Sequence, residues 1–147
     1  MAQYLSNELA GTTTGLTTAA AAGVKPAANV YGARVKNFRA TITFASQASA
    51  STFVLATIPA GYAFLNGSVA VDTSTGSATF AIGTAASAAK YRAQAALTST
   101  ATPTAFGLGN AYAGAYTGDE VVILTTAAAS LPASGTMVVD ITVIGAN

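Results

Sequence analysis

The side chains that most often carry out chemistry in proteins are missing or rare in this sequence. It has no His and no Cys, so neither a Ser-His-Asp nor a Cys-His arrangement is available, nor the usual ligands of a zinc site. Its few carboxylates lie in separate segments apart from the adjacent pair Asp119-Glu120. That pair could offer oxygen ligands to calcium, but a charged turn at the start of a strand explains it better. We therefore predict no catalytic residue, no metal site, no cofactor and no small-molecule substrate.

The basic residues are more informative than the acidic ones. Arg34 and Lys36 share one face of a predicted strand, with Arg39 opposite them or just past a bend. Lys90 and Arg92 form a second same-face pair. Such pairs could contact acidic patches on a partner protein. The alternative is solubilising charge on an edge strand, where lysine also blocks wrong strand pairing. The pairing of so few charges along single faces favours the contact interpretation.

Two tyrosines, Tyr112 and Tyr116, lie in a segment rich in Ala and Gly that is typical of a loop. Exposed rings there could stack on sugars or anchor a protein interface. Alternatively, the rings cap the core and leave their hydroxyls at its rim.

The sparse charge of the chain constrains its surface. Charged residues make up 7% of the 147 residues, whereas about a quarter is usual in a soluble domain. A surface of Ala, Thr, Ser and Gly is poorly protected against association and suits a protein that packs against other protein. The net charge of +1 and a pI near 8.0 argue against a nucleic-acid partner. Neither a membrane span nor a signal peptide is expected, since no apolar run approaches about 20 residues and residues 1–10 carry no Lys or Arg.

Alternation of apolar and polar residues begins near Val30 and predicts strands. Within them we place Leu65 with Gly67, Val69 and Val71 on one face, pair Val121 with Ile123, and align Met137, Val139, Ile141 and Val143. The predicted strands cover 38–44, 53–58, 62–72, 78–83, 90–96, 120–126 and 136–144, with weaker candidates at 102–108 and 111–116. Their regular spacing, without a sustained amphipathic helix, predicts an all-β sandwich. A jelly roll is preferred to an immunoglobulin-like sandwich.

The first 29 residues differ from the rest in being low in complexity. Ala, Thr and Gly dominate them, and Gly11 and Gly15 oppose a continuous helix. We predict an extended N-terminal arm over residues 1–29 that orders on contact, followed by the sandwich domain over 30–147. The alternative for this segment is a terminus without a role.

Several short segments in residues 30–147 resemble the head-decoration, or cement, proteins of tailed bacteriophages. They are Ala56-Thr57-Ile58-Pro59-Ala60-Gly61, Val69-Ala70-Val71-Asp72, Ala81-Ile82-Gly83-Thr84 and Tyr91. The resemblance implies a jelly-roll sandwich that is made in the bacterial cytoplasm and assembles as a homotrimer on the outer capsid surface. Its partners would be the major capsid protein and itself, and terminal arms would reach across the seams between capsomers.

These observations together predict a structural virion protein that stabilises an assembled capsid by bridging capsomers. The expected contact residues are Tyr4, Leu5, Leu9 and Leu16 of the arm, and Arg34, Lys36, Lys90 and Arg92 of the sandwich. The alternative function is a carbohydrate-binding module of a virion fibre or a bacterial surface adhesin, motivated by Tyr112 and Tyr116.

Overall fold

A computed structural model describes residues 34–112 and 114–145, which form two four-stranded sheets packed face to face. All strand pairs are antiparallel. The strands are β1 (Arg34–Thr43), β2 (Thr52–Ile58), β3 (Tyr62–Val71), β4 (Thr79–Gly83), β5 (Arg92–Ala95), β6 (Thr104–Phe106), β7 (Glu120–Ala127) and β8 (Thr136–Gly145). Within the described residues the single helical element is the 3₁₀ turn Gly109–Tyr112.

The strand order identifies the sandwich as a jelly roll. One sheet has the order β1-β8-β3-β6 and the other β2-β7-β4-β5. The chain therefore pairs β1 with β8, β2 with β7, β3 with β6 and β4 with β5, as one long hairpin whose successive pairs alternate between the two sheets. This is the arrangement of a jelly roll, and it confirms the fold class predicted from the spacing of the strands.

The core lies between the sheets and is filled by alternate residues of the central strands. In β8, the side chains of Met137, Val139 and Val143 are fully buried and that of Ile141 is 1% exposed, as the period-two pattern predicted. In β1, Ile42 is buried, whereas Phe38 and Ala40 pack partly buried against the core. Burial of these apolar faces supplies the main stabilisation of the sandwich.

A bulge in β3 corrects the predicted orientation of Leu65. The pairing of β3 with β8 shifts by one residue between Phe64 and Asn66. Phe64 is consequently buried at 3% exposure, and Leu65 is 39% exposed instead of sharing the inward face of Val69. An extra residue in one strand reverses the alternation on one side of it, and the sequence pattern does not mark its position.

Val121 and Ile123 share one face of β7, as predicted, but that face points outward. Val122 and Leu124 are fully buried, whereas Val121 is 47% exposed and Ile123 lies on the same outward face. Four consecutive apolar residues make both faces of this strand apolar, so alternation alone could not decide which face is inside.

Two of the predicted strands differ from the structure. Segment 90–96 is a strand only over Arg92–Ala95, and its pairing with β4 is irregular. In segment 111–116, residues 111 and 112 belong to the 3₁₀ turn and the described residues 114–116 are not in a strand. The other weak candidate, 102–108, contains the short strand β6.

Candidate protein-contact site

Arg34 and Lys36 lie at the beginning of β1, the outermost strand of its sheet. Both residues are exposed. The Lys36 ammonium lies 4.5 Å from the centre of the Tyr62 ring, a distance that permits a cation–π contact. Neither side chain forms a salt bridge with any residue in the described ranges. Both cations are thus on the surface, and no carboxylate among residues 34–112 and 114–145 pairs with them.

Arg39 points to the opposite side of β1, as predicted, and pairs across the sheet with Asp140 of β8. Its Nε and Nη2 atoms donate to the two carboxylate oxygens at 2.7 and 2.8 Å. This bidentate contact lowers the pKa of Asp140 and raises that of Arg39. Arg39 is the one cation on this outer face of β1, and Asp140 balances its charge.

The structure separates Lys90 from Arg92, which were predicted to form a same-face pair. The Lys90 ammonium forms a salt bridge with Glu120 and lies 4.6 Å from the centre of the Tyr116 ring. Arg92 is buried at 8% exposure. Its guanidinium donates to backbone carbonyls, lies 4.1 Å from the centre of the Phe80 ring, and has its pKa lowered by burial. The accepting carbonyls belong to Phe80, Ala93 and Ala95.

The paired-face prediction is therefore wrong for this segment. Tyr91 and Arg92 are adjacent in sequence and both buried, so the chain does not alternate between faces here. Arg92 stabilises its own domain, and we do not carry it forward as a contact residue.

Tyr91 forms the centre of a polar cluster at the rim of the core. Its hydroxyl donates to Glu120, and the hydroxyl of Tyr116 lies 2.9 Å away. Burial raises the pKa of Tyr91, and the bonded Glu120 raises it further. Burial likewise raises the pKa of Tyr116. The ring of Tyr91 packs on Phe64 at 4.8 Å between centroids, so the cluster joins the polar rim to the apolar core.

Tyr112 and Tyr116, the two candidate aromatics, have different environments. Tyr112 is 51% exposed and contacts the ring of Phe64 edge-on at 5.4 Å. Its hydroxyl lies so close to Gly107 that an added Cβ would come within 2.3 Å of it, so a residue with a side chain at 107 would displace the ring. Tyr116 packs partly buried against the core. The pair does not form a joint aromatic platform on the surface.

The adjacent acids Asp119 and Glu120 are engaged in different contacts. Asp119 accepts a hydrogen bond from the backbone N–H of Ala60 at 3.0 Å, whereas Glu120 binds Lys90 and Tyr91. In ranges 34–112 and 114–145, no group of three or more His, Cys, Asp and Glu side chains could hold a metal ion. No helix among those residues is long and apolar enough to cross a membrane.

An uncharged outer face on strands β2, β7 and β4 was not predicted from the sequence. The three strands contain a single charged residue, Glu120, and that residue binds Lys90. Val54 is 70% exposed on this face, and its neighbour across the strands is Ile123. We call the outward residues Val54, Thr57, Val121, Ile123 and Thr125 the uncharged face; Ala81 of β4 lies opposite Thr125 but is only 5% exposed. A sequence signal for this face was present in β7, because the run Val121 to Leu124 places apolar residues on both faces of the strand.

The contact residues predicted in the arm, Tyr4, Leu5, Leu9 and Leu16, lie outside the described residues. Of the four basic residues predicted in the sandwich, only Arg34 and Lys36 lie together on the surface.

Comparison with known proteins gives the same class of fold. No protein-family model and no curated protein sequence matches the chain. Three solved structures contain a chain of similar fold, and each is a bacteriophage capsid. A chain of the cyanophage Pam1 capsid asymmetric unit has a TM-score of 0.66 and 20% identity, over 89% of this chain and 99% of that one.

The two other structures align over somewhat shorter ranges. A chain of the capsid of Ralstonia phage GP4 has a TM-score of 0.61 and 14% identity, over 78% of this chain and 86% of that one. A chain of the acid-stable capsid of Helicobacter pylori bacteriophage KHP30 has a TM-score of 0.54 and 15% identity, over 75% and 86% of the two chains. At these identities the likeness establishes a shared jelly-roll fold.

Proposed function

We propose that this chain is a structural virion protein that binds the outside of an assembled bacteriophage capsid and stabilises it by bridging capsomers. The observation that carries the proposal is the match to a chain of the Pam1 capsid over 89% of this chain and 99% of that one. A protein of nearly the same length and fold is therefore part of a phage capsid. Fold alone does not define function, so the proposal also depends on the character of the protein's surface.

The surface supports a role in contacts with other protein. The uncharged face exposes Val54 and Val121 at 70% and 47%, in a domain whose charged residues are few. Surfaces between permanently associated subunits are more apolar than the rest of a protein surface, and charged residues are depleted at their centre. The uncharged face has this character.

The uncharged face packs against a neighbouring copy of the chain in a homotrimer. In a closed ring of three, each interface joins two different surfaces of neighbouring copies. The uncharged face thus meets another surface of the next subunit, and edge strand β1 is left for the capsid. Three linked binding sites raise the overall affinity for a lattice well above that of one site.

Stabilisation follows from linkage. A protein that binds the assembled shell, and binds dissociated subunits less well, adds its binding free energy to the stability of the shell. Residues 1–29 contribute by ordering on the capsid and burying Tyr4, Leu5, Leu9 and Leu16. No catalytic step enters the proposal.

The test is to remove the chain from purified particles and add it back. We expect the purified protein to rebind and to raise the temperature at which the shell releases its contents, up to a limit set by the number of binding sites. Rebinding without a change in shell stability would contradict the cement role, and failure to rebind would contradict a position on the outer surface.

The carbohydrate-binding alternative has less support. It was motivated by two tyrosines, and of these Tyr112 is exposed whereas Tyr116 binds within the rim cluster. One exposed ring next to an uncharged surface is as well suited to a protein interface as to a sugar. Retention of the protein on a glycan array, lost in Tyr112→Ala, would restore this alternative.

A further inference from the structure

Two salt bridges, Arg39–Asp140 and Lys90–Glu120, pair four of the charged side chains in the described domain. Every carboxylate in ranges 34–112 and 114–145 accepts a hydrogen bond from its own domain. The donors are the backbone N–H of Thr136 for Asp72, the backbone N–H of Ala60 for Asp119, Lys90 and Tyr91 for Glu120, and Arg39 for Asp140. Glu120 and Asp140 pair with cations, Asp72 and Asp119 accept from backbone N–H groups, and none of the four pairs with Arg34 or Lys36.

Among the described residues, Arg34 and Lys36 are the cations that take no part in these contacts. Arg39 and Lys90 form salt bridges, and the guanidinium of Arg92 binds backbone carbonyls. Arg34 and Lys36 are two positions apart in a regular strand, so their side chains project from the same side of β1. The centre of the Tyr62 ring lies 4.5 Å from the Lys36 ammonium. This contact helps to hold the Lys36 side chain beside the strand.

The strand that carries this pair is also an unprotected sheet edge. β1 pairs with β8 along all ten of its residues without a register shift, and it has no strand on its other side within the described residues. Alternate N–H and C=O groups of such a strand point away from the sheet. One of the carbonyls, that of Thr43, accepts a hydrogen bond from Gln47 Nε2 at 2.9 Å. Within the described ranges, no further strand pairs with the outward groups of residues 34–42.

The other three edges of the sandwich are protected in ways that β1 is not. β6 has three residues and β5 has four, and the Arg92 guanidinium covers carbonyls of β5. β2 is interrupted by a bulge between Val54 and Ala56. Natural sheets use short strands, bulges and charge to prevent unwanted pairing. In β1 the only such device is positive charge, which repels a basic strand and attracts an acidic one.

We infer that β1 is a docking edge for an extended, carboxylate-bearing segment of another virion protein, which adds to the β1-β8-β3-β6 sheet as a fifth strand. Backbone hydrogen bonds along 34–42 supply affinity, and pairing of carboxylates with Arg34 and Lys36 fixes register and partner. This inference rests on the proposed function, because it assumes that the chain binds a capsid.

Hydrogen–deuterium exchange of the chain, free and bound to particles, tests the strand addition. Peptides covering 34–42 are expected to exchange more slowly in the bound state, because their outward N–H groups become hydrogen-bonded. Particle-bound chain with unchanged exchange in 34–42 would overturn the docking edge and leave the proposed function intact. A chain that does not bind particles at all contradicts both.

The role of charge is tested by two variants matched in net charge. Arg34→Gln with Lys36→Gln removes two positive charges from β1, and Thr98→Glu with Thr100→Glu adds two negative charges to an exposed loop. We expect the first to bind stripped particles at least about tenfold more weakly and the second to bind normally. Equal affinity of the two variants would overturn the charge pairing.

A zero-length carbodiimide crosslink identifies the partner, because it joins the Lys36 amine directly to a contacting carboxylate. We expect a crosslink to an acidic segment of a different virion protein. A crosslink to Glu8 of another copy would overturn the choice of partner, since the occupant of the edge would then be the N-terminal segment of this same chain.

Discussion

Tyr91 donates its hydroxyl hydrogen to Glu120 at the first residue of β7, although the two residues are 29 positions apart in the sequence. Lys90 binds the other oxygen of the same carboxylate, and the Tyr116 hydroxyl lies 2.9 Å from that of Tyr91. The cluster thereby joins the segment before β5, the segment before β7 and the start of β7 itself. In a chain with few charges, this cluster is a polar connection between three segments at the rim of the core.

Removing the Tyr91 hydroxyl tests the cluster. Tyr91→Phe keeps the ring on Phe64 but takes a donor from a partly buried carboxylate, so we expect a loss of about 1.5–3 kcal/mol in the free energy of unfolding. Urea denaturation measures it. Tyr112→Phe is the matched control, because that tyrosine is half-exposed and its variant is expected to change stability by less than about 0.5 kcal/mol. Equal effects of the two variants would show that the cluster does not stabilise the fold.

Stability is expected to fall in acid through Asp72 and Asp140. Both have a pKa below the usual 3.8, Asp72 through the Thr136 backbone N–H and Asp140 through Arg39. The unfolded chain therefore takes up protons at a higher pH than the folded chain does. The contribution of these groups is present above the usual value and is lost as the pH falls through their folded values.

Melting temperatures between pH 7 and pH 2 measure this acid dependence. Asp72→Asn and Asp140→Asn are each expected to flatten the curve below about pH 4. High salt should reduce the contribution of Asp140 to this acid dependence, because Arg39 is exposed and its charge is screened. An acid limb that is unchanged in both variants would contradict these assignments.

The same substitution at two arginines separates their roles. Arg92→Met removes a buried cation and leaves the carbonyl of Phe80, 2.6 Å from the guanidinium, without its donor. We expect a loss of about 2–4 kcal/mol in unfolding free energy. Arg34→Met, on the exposed edge, should stay within about 0.5 kcal/mol of the native protein. Differential scanning calorimetry compares them, and a stable Arg92→Met would show that the guanidinium is dispensable.

The sequence predicted the architecture better than it predicted the surface. The alternation of Met137, Val139, Ile141 and Val143 is long and regular, and it correctly placed β8 in the core. The spacing of the predicted strands was sufficient to predict the β-sandwich. The predicted orientation of Leu65 was wrong because a β-bulge inserts one extra residue into the strand, and no local sequence pattern marks its position.

The candidate site was harder to predict, because it depends on which side of a strand faces solvent. Arg92 has the sequence context of an exposed basic residue, but its guanidinium is buried against carbonyls of its own sheet. Only the folded pairing of β4 with β5 creates that acceptor set. Arg34 and Lys36 were placed on one side of a strand correctly, while their position on an unprotected edge follows from the sheet order.

Neighbouring valines of β7 distinguish the core from the uncharged face. Val122 is fully buried and Val121 is 47% exposed. Val122→Ala is expected to cost roughly 2 kcal/mol of stability, with the subunit association unchanged in the folded protein. Val121→Glu should leave the fold stable and shift the proposed homotrimer toward monomer in sedimentation equilibrium. A monomeric native protein, or a Val121→Glu variant that associates normally, would contradict a subunit interface on this face.

The most direct test of the account is the copy number of this chain in purified virus particles, measured by quantitative mass spectrometry against the major capsid protein. We expect a fixed stoichiometric ratio, with the chain present throughout the shell and accessible to surface labelling. A few copies per particle would indicate a fibre or tail component instead. Absence of the chain from particles would contradict the proposed virion role.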